Sequence, residues 1–160
     1  MRHVGEGGPA YLLVARNEAS QRRAAAALIR PAEVAPAAAR LSLWGASWPA
    51  GDLVAWWLGG LRYIDDPPML DVWRAPRATI SLGGGDCEDL SIAALSLLIA
   101  LGGSGALVVG TYFSHNGPIG HAWMEGWDGA GWLHLDATNR SLTRWMRPPE
   151  YVPMVAYSAR

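Results

Sequence analysis

The sequence predicts an α+β fold in which one buried helix packs on an antiparallel β-sheet. A helix over residues 87–101 has no ionisable side chain after Asp89 and is apolar on nearly all sides, which is typical of a helix in the middle of a domain. The next segment, residues 106–113, is rich in the β-branched and aromatic residues that favour strands. A Gly-containing turn then separates residues 121–127 from residues 132–136, which predicts a hairpin.

The elements of the first half are short and are separated by Pro- and Gly-rich segments. Alanine-rich runs favour helix, proline ends or starts it, and asparagine is a favourable helix cap. The predicted order is a loose arm over 1–10, a strand over 11–15, a helix over 18–30 capped by Asn17, a linker over 31–40, a helix over 51–58 and an ordered loop over 63–77.

Length and composition limit the classes of function. The chain has 160 residues, 51% of them apolar and 17% charged, so it is long enough and apolar enough for one domain with a sizeable core. Its 13 basic residues, all Arg, nearly balance 14 acidic ones, which argues against nucleic acid or an anionic membrane surface as a partner. Without Lys there is no Walker-type phosphate loop, and no cofactor is expected.

The single cysteine, Cys87, excludes an intrachain disulfide and a cysteine-based zinc cluster. No stretch approaches the ~18–20 apolar residues of a membrane span, and no leader pattern precedes the first helix. The expectation is one cytoplasmic domain over 1–160, with an N-terminal arm and helix in 1–50 and a catalytic core in 63–139.

Cys87 is predicted to lie in the first turn of the buried helix, after a flexible glycine run and the cap Asp86. Asp89, three residues on, resembles the acidic partner of a capping box. Free backbone N–H groups and the helix dipole favour a thiolate there and could stabilise an oxyanion. Because Asp86, Glu88 and Asp89 oppose the thiolate, a cationic partner is needed, and an imidazolium is the obvious one.

The predicted hairpin supplies that imidazole. If Trp127 pairs with Trp132, then Asp136 lies opposite Trp123 and is the diagonal neighbour of His121 on one face of the sheet. A carboxylate in that place orients an imidazole toward a nucleophile, whereas a slip of one residue would separate the two. The arrangement predicts that the Cys87 sulfur lies about 3–4.5 Å from one ring nitrogen of His121 and that Asp136 contacts the other.

Three sequence blocks, in order, resemble the signature of the transglutaminase-like superfamily, with the bacterial cysteine-proteinase-like members as the nearest match. They are Gly-Gly-Gly-Asp-Cys87-Glu-Asp-Leu, Gly-His121-Ala-Trp-Met-Glu and Gly-Trp-Leu-His-Leu-Asp136-Ala-Thr-Asn. The resemblance implies a papain-like fold and a Cys87, His121 and Asp136 triad. Ala137 stands where the family often has Pro. In the family, a side chain from before the cysteine helps to stabilise the oxyanion; it has no secure counterpart here, and Trp73 is a weak candidate. Trp73, Asp86 and Trp123 are expected to line the substrate cleft.

The expected function is acyl transfer through a thioester, with hydrolysis of a peptide or protein amide bond as the first choice. A protein-glutamine transglutaminase would use an amine in place of water. An arylamine N-acetyltransferase has the same order of Cys, His and Asp but is usually a longer chain. A non-enzymatic binding or assembly module with an idle triad also stays open, because similar small domains are encoded near phage structural genes; its partners would be phage or prophage structural proteins.

Each of these residues also has a simpler structural explanation. Taken alone, Cys87 is a buried structural thiol, since free cysteine is commonly buried. His115, His121 and His134 could be metal ligands, but their spacing matches no familiar site, so no metal is expected. The tryptophans of the hairpin could form core or stack on a substrate.

Overall fold

The computed structural model describes residues 11–13 and 18–159. The predicted arm over 1–10 and the predicted cap Asn17 lie outside the described residues. The helices are α1 Glu18–Leu28, α2 Ala35–Trp44, α3 Ala50–Leu58, α4 Pro76–Leu82 and α5 Cys87–Ala100, with a 3-10 helix at Pro31–Val34. The strands are β1 Tyr11–Leu13, β2 Arg62–Tyr63, β3 Val72–Arg74, β4 Gly84–Gly85, β5 Ser104–Ser114, β6 Gly117–Trp127, β7 Trp132–Asp136, β8 Ser141–Arg144 and β9 Tyr151–Ser158.

Helix α5 is the predicted buried helix, and it lies at the centre of the molecule. Every residue from 89 to 98 is buried. It packs against strands β5 and β6, and α2, α3, α4 and the 3-10 helix surround it. The α+β class and the packing of the Cys87 helix on an antiparallel sheet are therefore confirmed.

The sheet has five antiparallel strands in the order β8-β7-β6-β5-β9. Strands β6 and β7 form the predicted hairpin, and Trp127 pairs with Trp132 in the predicted register. Strand β5 pairs along the whole of β6. Strand β7 is shorter and pairs only with the second half of β6, so the other edge of the first half of β6 is not paired with β7. This unpaired edge lies where the start of α5 meets the sheet.

The two faces of the sheet have different surroundings. Residues such as Leu107, Met124 and Leu135 belong to the main core around α5. Trp123 packs with Tyr151 and Val108 in a second, smaller cluster. Because side chains alternate along a strand, His121 shares the face of Trp123.

Two segments predicted to be a linker and a loop contain regular secondary structure instead. The predicted linker over 31–40 forms the 3-10 helix and most of α2, since prolines stand at the first or second positions of both helical segments and their missing N–H costs nothing there. The predicted loop over 63–77 contains β3 and the start of α4, which also begins with a proline. Alanine makes up much of 31–40 and favours helix, so the composition was compatible with this outcome.

Within the described ranges, no helix is both long enough and apolar enough to cross a membrane.

Candidate active site

Helix α5 begins at Cys87 because Asp86 caps it. Oδ1 of Asp86 accepts a hydrogen bond of 3.3 Å from the backbone N–H of Asp89, which satisfies one of the N–H groups left free at a helix start. Only this half of the predicted capping box forms as expected, because the buried Asp89 carboxylate binds the side chain and the backbone N–H of Arg74. Cys87 thus occupies the predicted first turn.

The glycine run before Cys87 is packed and is not the flexible lead-in that the sequence predicted. Gly83 ends α4 with a φ of 81°, a left-handed conformation that favours glycine. A Cβ on Gly84 would overlap the Arg62 carbonyl of the paired strand β2, and one on Gly85 would overlap the Asp89 side chain. The run therefore fixes the position at which α5 starts.

His121 and Asp136 meet across the β6–β7 hairpin. Nε2 of His121 lies 2.8 Å from Oδ2 of Asp136; the histidine is 6% exposed and the aspartate 0%. The observed register makes these residues diagonal neighbours, and it is the register that the turn predicted. The structure thus has the expected His–Asp contact, with Nε2 as the nitrogen involved.

The Asp136 carboxylate is held by five donors. Oδ2 accepts from His121, from the hydroxyl of Tyr151 at 2.7 Å and from the side-chain amide of Asn139 at 2.7 Å. Oδ1 accepts from the backbone N–H groups of Thr138 and Asn139, each at 3.0 Å. Burial raises the pKa of Asp136, but the hydrogen bond and charge of His121 and the other donors outweigh it and lower the pKa to about 2. The carboxylate is therefore ionised at neutral pH, so Nε2 carries the shared proton and Nδ1 is the free nitrogen.

The first turn of α5 meets strand β6 at Ala122, the residue after His121. The Ser91 hydroxyl donates to the Ala122 carbonyl at 3.3 Å, and one helical turn earlier the Cys87 sulfur has a backbone hydrogen bond with Ala122. Backbone N–H and C=O groups of a strand point along the sheet, so the helix start lies beside the unpaired edge of β6. Cys87 is therefore adjacent to the backbone of the strand segment that carries His121. Its sulfur hydrogen-bonds Glu88 and the Ala122 backbone, and the close contact with a His121 ring nitrogen stays a prediction.

The thiol of Cys87 donates a hydrogen bond of 3.0 Å to Oε2 of Glu88. Burial and then the Glu88 carboxylate raise the pKa of the thiol, and the backbone hydrogen bond of Ala122 only partly opposes them. The helix start and a nearby imidazole are expected from the sequence to favour a thiolate. In the structure burial and the acidic neighbours outweigh that effect, and the pKa of the thiol is raised.

Further carboxylates gather near Glu88. One oxygen each of Asp66, Asp71 and Asp86 lies within 4.8 Å of the others. Burial and then the charges of Glu88 and Asp89 raise the pKa of Asp86 to about 9, and burial and then Glu88 raise that of Asp71. Oδ1 of Asp66 is buried and lies 2.9 Å from the Arg74 guanidinium without hydrogen-bond alignment. These carboxylates form the only set of three such ligands that the described residues bring together.

The residues expected to line the cleft are mostly inside the protein. Trp73 is 3% exposed, its indole N–H donates to Asp71 at 2.8 Å, and its ring meets Tyr157 edge to face. Trp123 is fully buried and donates to Glu125 at 2.8 Å. Asp86, 9% exposed, caps the helix. Trp73 and Trp123 are thus core residues, and their indole N–H groups are occupied by Asp71 and Glu125.

Some functional neighbours were not visible in the sequence. Tyr151 lies on β9, outside the three blocks, and no pattern pointed to it. Asn139 belongs to the third block, but its side chain gave no separate signal. Tyr63, on β2, is half exposed, and burial and then the electrostatic effect of Cys87 raise its pKa to about 12. The histidines considered as metal ligands are dispersed, since His115 is exposed beside the β5–β6 turn while His134 is buried against Tyr151.

Comparison with known protein families gives one match. Residues 50–137 match the family described as the transglutaminase-like superfamily. That segment is more than half of the chain and contains Cys87, His121 and Asp136. No curated protein matches the sequence.

Solved structures give further matches. A candidate cysteine protease from Cytophaga hutchinsonii is 24% identical, with a TM-score of 0.50 over 64% of this chain; the chain spans 33% of that protein. LapG from Legionella pneumophila in its calcium-bound form is 19% identical, with a TM-score of 0.56 over 89% of this chain and 77% of LapG. The EGTA-treated form of LapG gives a TM-score of 0.59 over 89% of this chain and 75% of LapG, also at 19% identity. At these identities the matches show a shared fold.

Proposed function

This chain belongs to the transglutaminase-like superfamily, and from that premise we propose that it is a cysteine hydrolase that cleaves a peptide or protein amide bond through a thioester on Cys87. The observation that carries the proposal is the buried His121–Asp136 pair beside Ala122, whose backbone contacts the Cys87 sulfur. Asp136 is the orienting carboxylate, His121 the general base and acid, and Cys87 the nucleophile.

In the first half of the reaction, Nδ1 of His121 takes the thiol proton and the sulfur attacks the carbonyl carbon of the substrate. The carbonyl π electrons move to oxygen, and the backbone N–H of Cys87 at the start of α5 stabilises that oxyanion. When the oxyanion collapses, the C–N bond breaks and His121 gives its proton to the leaving amine. A thioester on Cys87 and a free amine result.

In the second half, His121 removes a proton from water while the water oxygen attacks the thioester carbonyl. Collapse of the second tetrahedral species breaks the C–S bond, and His121 returns the proton to sulfur. The products are a carboxylic acid and the original thiol. A primary amine in place of water would make the same site a transglutaminase. The candidate protease from Cytophaga hutchinsonii among the solved structures supports hydrolysis.

The proposal includes a calcium ion at Asp66, Asp71 and Asp86. Hard carboxylate oxygens are the ligands that Ca²⁺ prefers. In the described part of the chain, Arg74 is the only basic side chain that forms an ion pair with one of these three carboxylates. Burial and then neighbouring carboxylates raise the pKa values of Asp71 and Asp86, so a bound cation would favour the ionised form of both groups. One protein of this fold, LapG, has been solved in a calcium-bound form. Bound calcium would supply positive charge close to Cys87.

The test uses labelled casein together with a labelled primary amine, in calcium-containing buffer, and measures peptide cleavage and amine uptake separately. Wild-type protein should cleave the casein, whereas Cys87→Ala should not. His121→Ala should lose activity by about 10³-fold or more, while His115→Ala, which changes an exposed histidine of the same strand pair, should not. Cleavage that survives in Cys87→Ala contradicts the proposal, and Cys87-dependent amine uptake faster than cleavage selects the transglutaminase.

A further inference from the structure

We propose that Tyr151 is a positioning residue for the catalytic pair, acting on His121 through Asp136; this inference rests on the proposed function. The Tyr151 hydroxyl donates to Oδ2 of Asp136 at 2.7 Å, the same oxygen that receives Nε2 of His121. The tyrosine comes from β9, at the far side of the sheet from β7. The edge strand β9 thereby contributes to the geometry of the site.

The Tyr151 ring is fixed by aromatic neighbours on the same face of the sheet. It is 8% exposed, stacks on Tyr112 with ring centroids 4.7 Å apart, and meets His134 edge to face at 4.3 Å. Trp123 adds a second edge-to-face contact at 5.3 Å. A ring held on several sides places its hydroxyl in one position, so little conformational freedom is lost when it binds the carboxylate.

The hydroxyl has a different role from the ring. Its hydrogen bonds in the described part of the chain are with Asp136 and Asn139, and the Asn139 amide also donates to Oδ2 of Asp136 at 2.7 Å. Tyr151 and Asn139 therefore fix the orientation of the oxygen that accepts from His121. Without the hydroxyl, the packing of a phenyl ring survives but the carboxylate can turn, and the proton on the imidazole is less strictly kept at Nε2.

The experiment compares Tyr151→Phe with Tyr112→Phe, which removes the hydroxyl of the ring stacked on it and leaves Asp136 untouched. One readout is the ¹⁵N chemical shifts of the His121 ring nitrogens, which report the tautomer and are assigned with His121→Gln. The other is the rate of Cys87 alkylation by iodoacetamide at pH 7. Tyr151→Phe should increase the Nδ1–H tautomer and slow alkylation about tenfold, the order expected for one lost hydrogen bond to a charged group. Tyr112→Phe should change neither.

A second variant, Asn139→Ala, changes an exposed side chain and protects the test against misfolding of the first. It should shift the tautomer in the same direction, and the double variant should shift it further. Unchanged ¹⁵N shifts in Tyr151→Phe, at an unchanged melting temperature, would overturn the positioning role even if His121→Ala abolishes alkylation. A shifted tautomer in Tyr151→Phe, together with alkylation that His121→Ala does not slow, would support the positioning role and contradict the proposed function.

Discussion

The Cys87 thiol donates a hydrogen bond of 3.0 Å to the carboxylate of Glu88, the next residue in the first turn of α5. This contact opposes the effect of the helix start, since a hydrogen bond from the thiol and a nearby negative charge both favour the protonated sulfur. The carboxyl group of Asp86 adds a smaller effect that also raises the pKa of the thiol. In the proposed reaction the thiol must therefore give up its hydrogen bond to Glu88 and transfer its proton to His121.

Glu88→Gln should make Cys87 more reactive, because the amide removes the negative charge while keeping the size of the side chain. A fall of one unit in the pKa of the thiol increases the thiolate about tenfold at neutral pH. We expect alkylation at pH 7, in a calcium-free buffer, to accelerate by about that factor. Asp65→Asn, which removes an exposed carboxylate from the nearby loop, is the control. Equal alkylation rates in Glu88→Gln and wild type would show that Glu88 does not raise the pKa of the thiol.

Asp136 should contribute to stability in acid. Its pKa is lowered to about 2 in the folded protein against about 3.9 when unfolded. The stabilisation is therefore complete above pH 4 and disappears as the pH falls through about 2, and it amounts to about 2.5 kcal/mol. Urea unfolding between pH 5 and 2 should show this loss in wild type and a smaller loss in Asp136→Asn. Glu150→Gln, which changes an exposed carboxylate, is the control and should lose stability between pH 5 and 2 as wild type does. If Asp136→Asn loses as much stability as wild type over this range, the Asp136 carboxylate is not ionised in the folded state.

Calcium should stabilise the protein through the three clustered aspartates. A ligand that binds only the folded state adds about 2.7 kcal/mol at a hundred times its Kd, so the melting temperature should rise with calcium and saturate. Asp71→Asn should weaken this response; its amide oxygen can still accept the Trp73 indole N–H. Asp65→Asn should respond like wild type. Equal responses of Asp71→Asn and wild type, measured by calorimetry and by melting, would exclude this site.

Local sequence patterns predicted the start of α5 and the His121–Asp136 contact because both depend on short-range features. The turn at residues 128–131 determines the β6–β7 register, which by itself makes His121 and Asp136 diagonal neighbours. The cap Asp86 and the apolar run after Asp89 likewise specify where α5 begins and that it is buried. These features involve side chains only a few residues apart along the chain or across one hairpin.

The features that were not predicted depend on which separate strands and helices pack together. Tyr151 reaches Asp136 only because β9 pairs with β5 at the other edge of the sheet, and no periodic pattern encodes that pairing. Trp73 was a weak candidate for the cleft because it precedes Cys87 in the chain, but the short β1–β3 sheet places it in the core. Helix α2 was missed because prolines and alanines are compatible with both linker and helix, and the choice was made by packing against α5.

His134 should make the protein less stable in mild acid. The imidazole is fully buried between Trp123 and Tyr151, and neither ring nitrogen hydrogen-bonds another residue of the described chain. Burial lowers the pKa of His134 despite the charges of Glu125 and Asp136, so the unfolded chain binds a proton there more readily than the folded one. Stability attributable to His134 is therefore intact above about pH 6.5 and falls by up to about 1.4 kcal/mol per pH unit below it.

Urea unfolding of His134→Leu and wild type at pH 7.5, 6.5 and 5.5 measures this difference in slope, with His115→Leu as the exposed control. His134→Leu should have the shallower dependence; a slope equal to that of wild type would mean that His134 is protonated, or reached by water, in the folded protein.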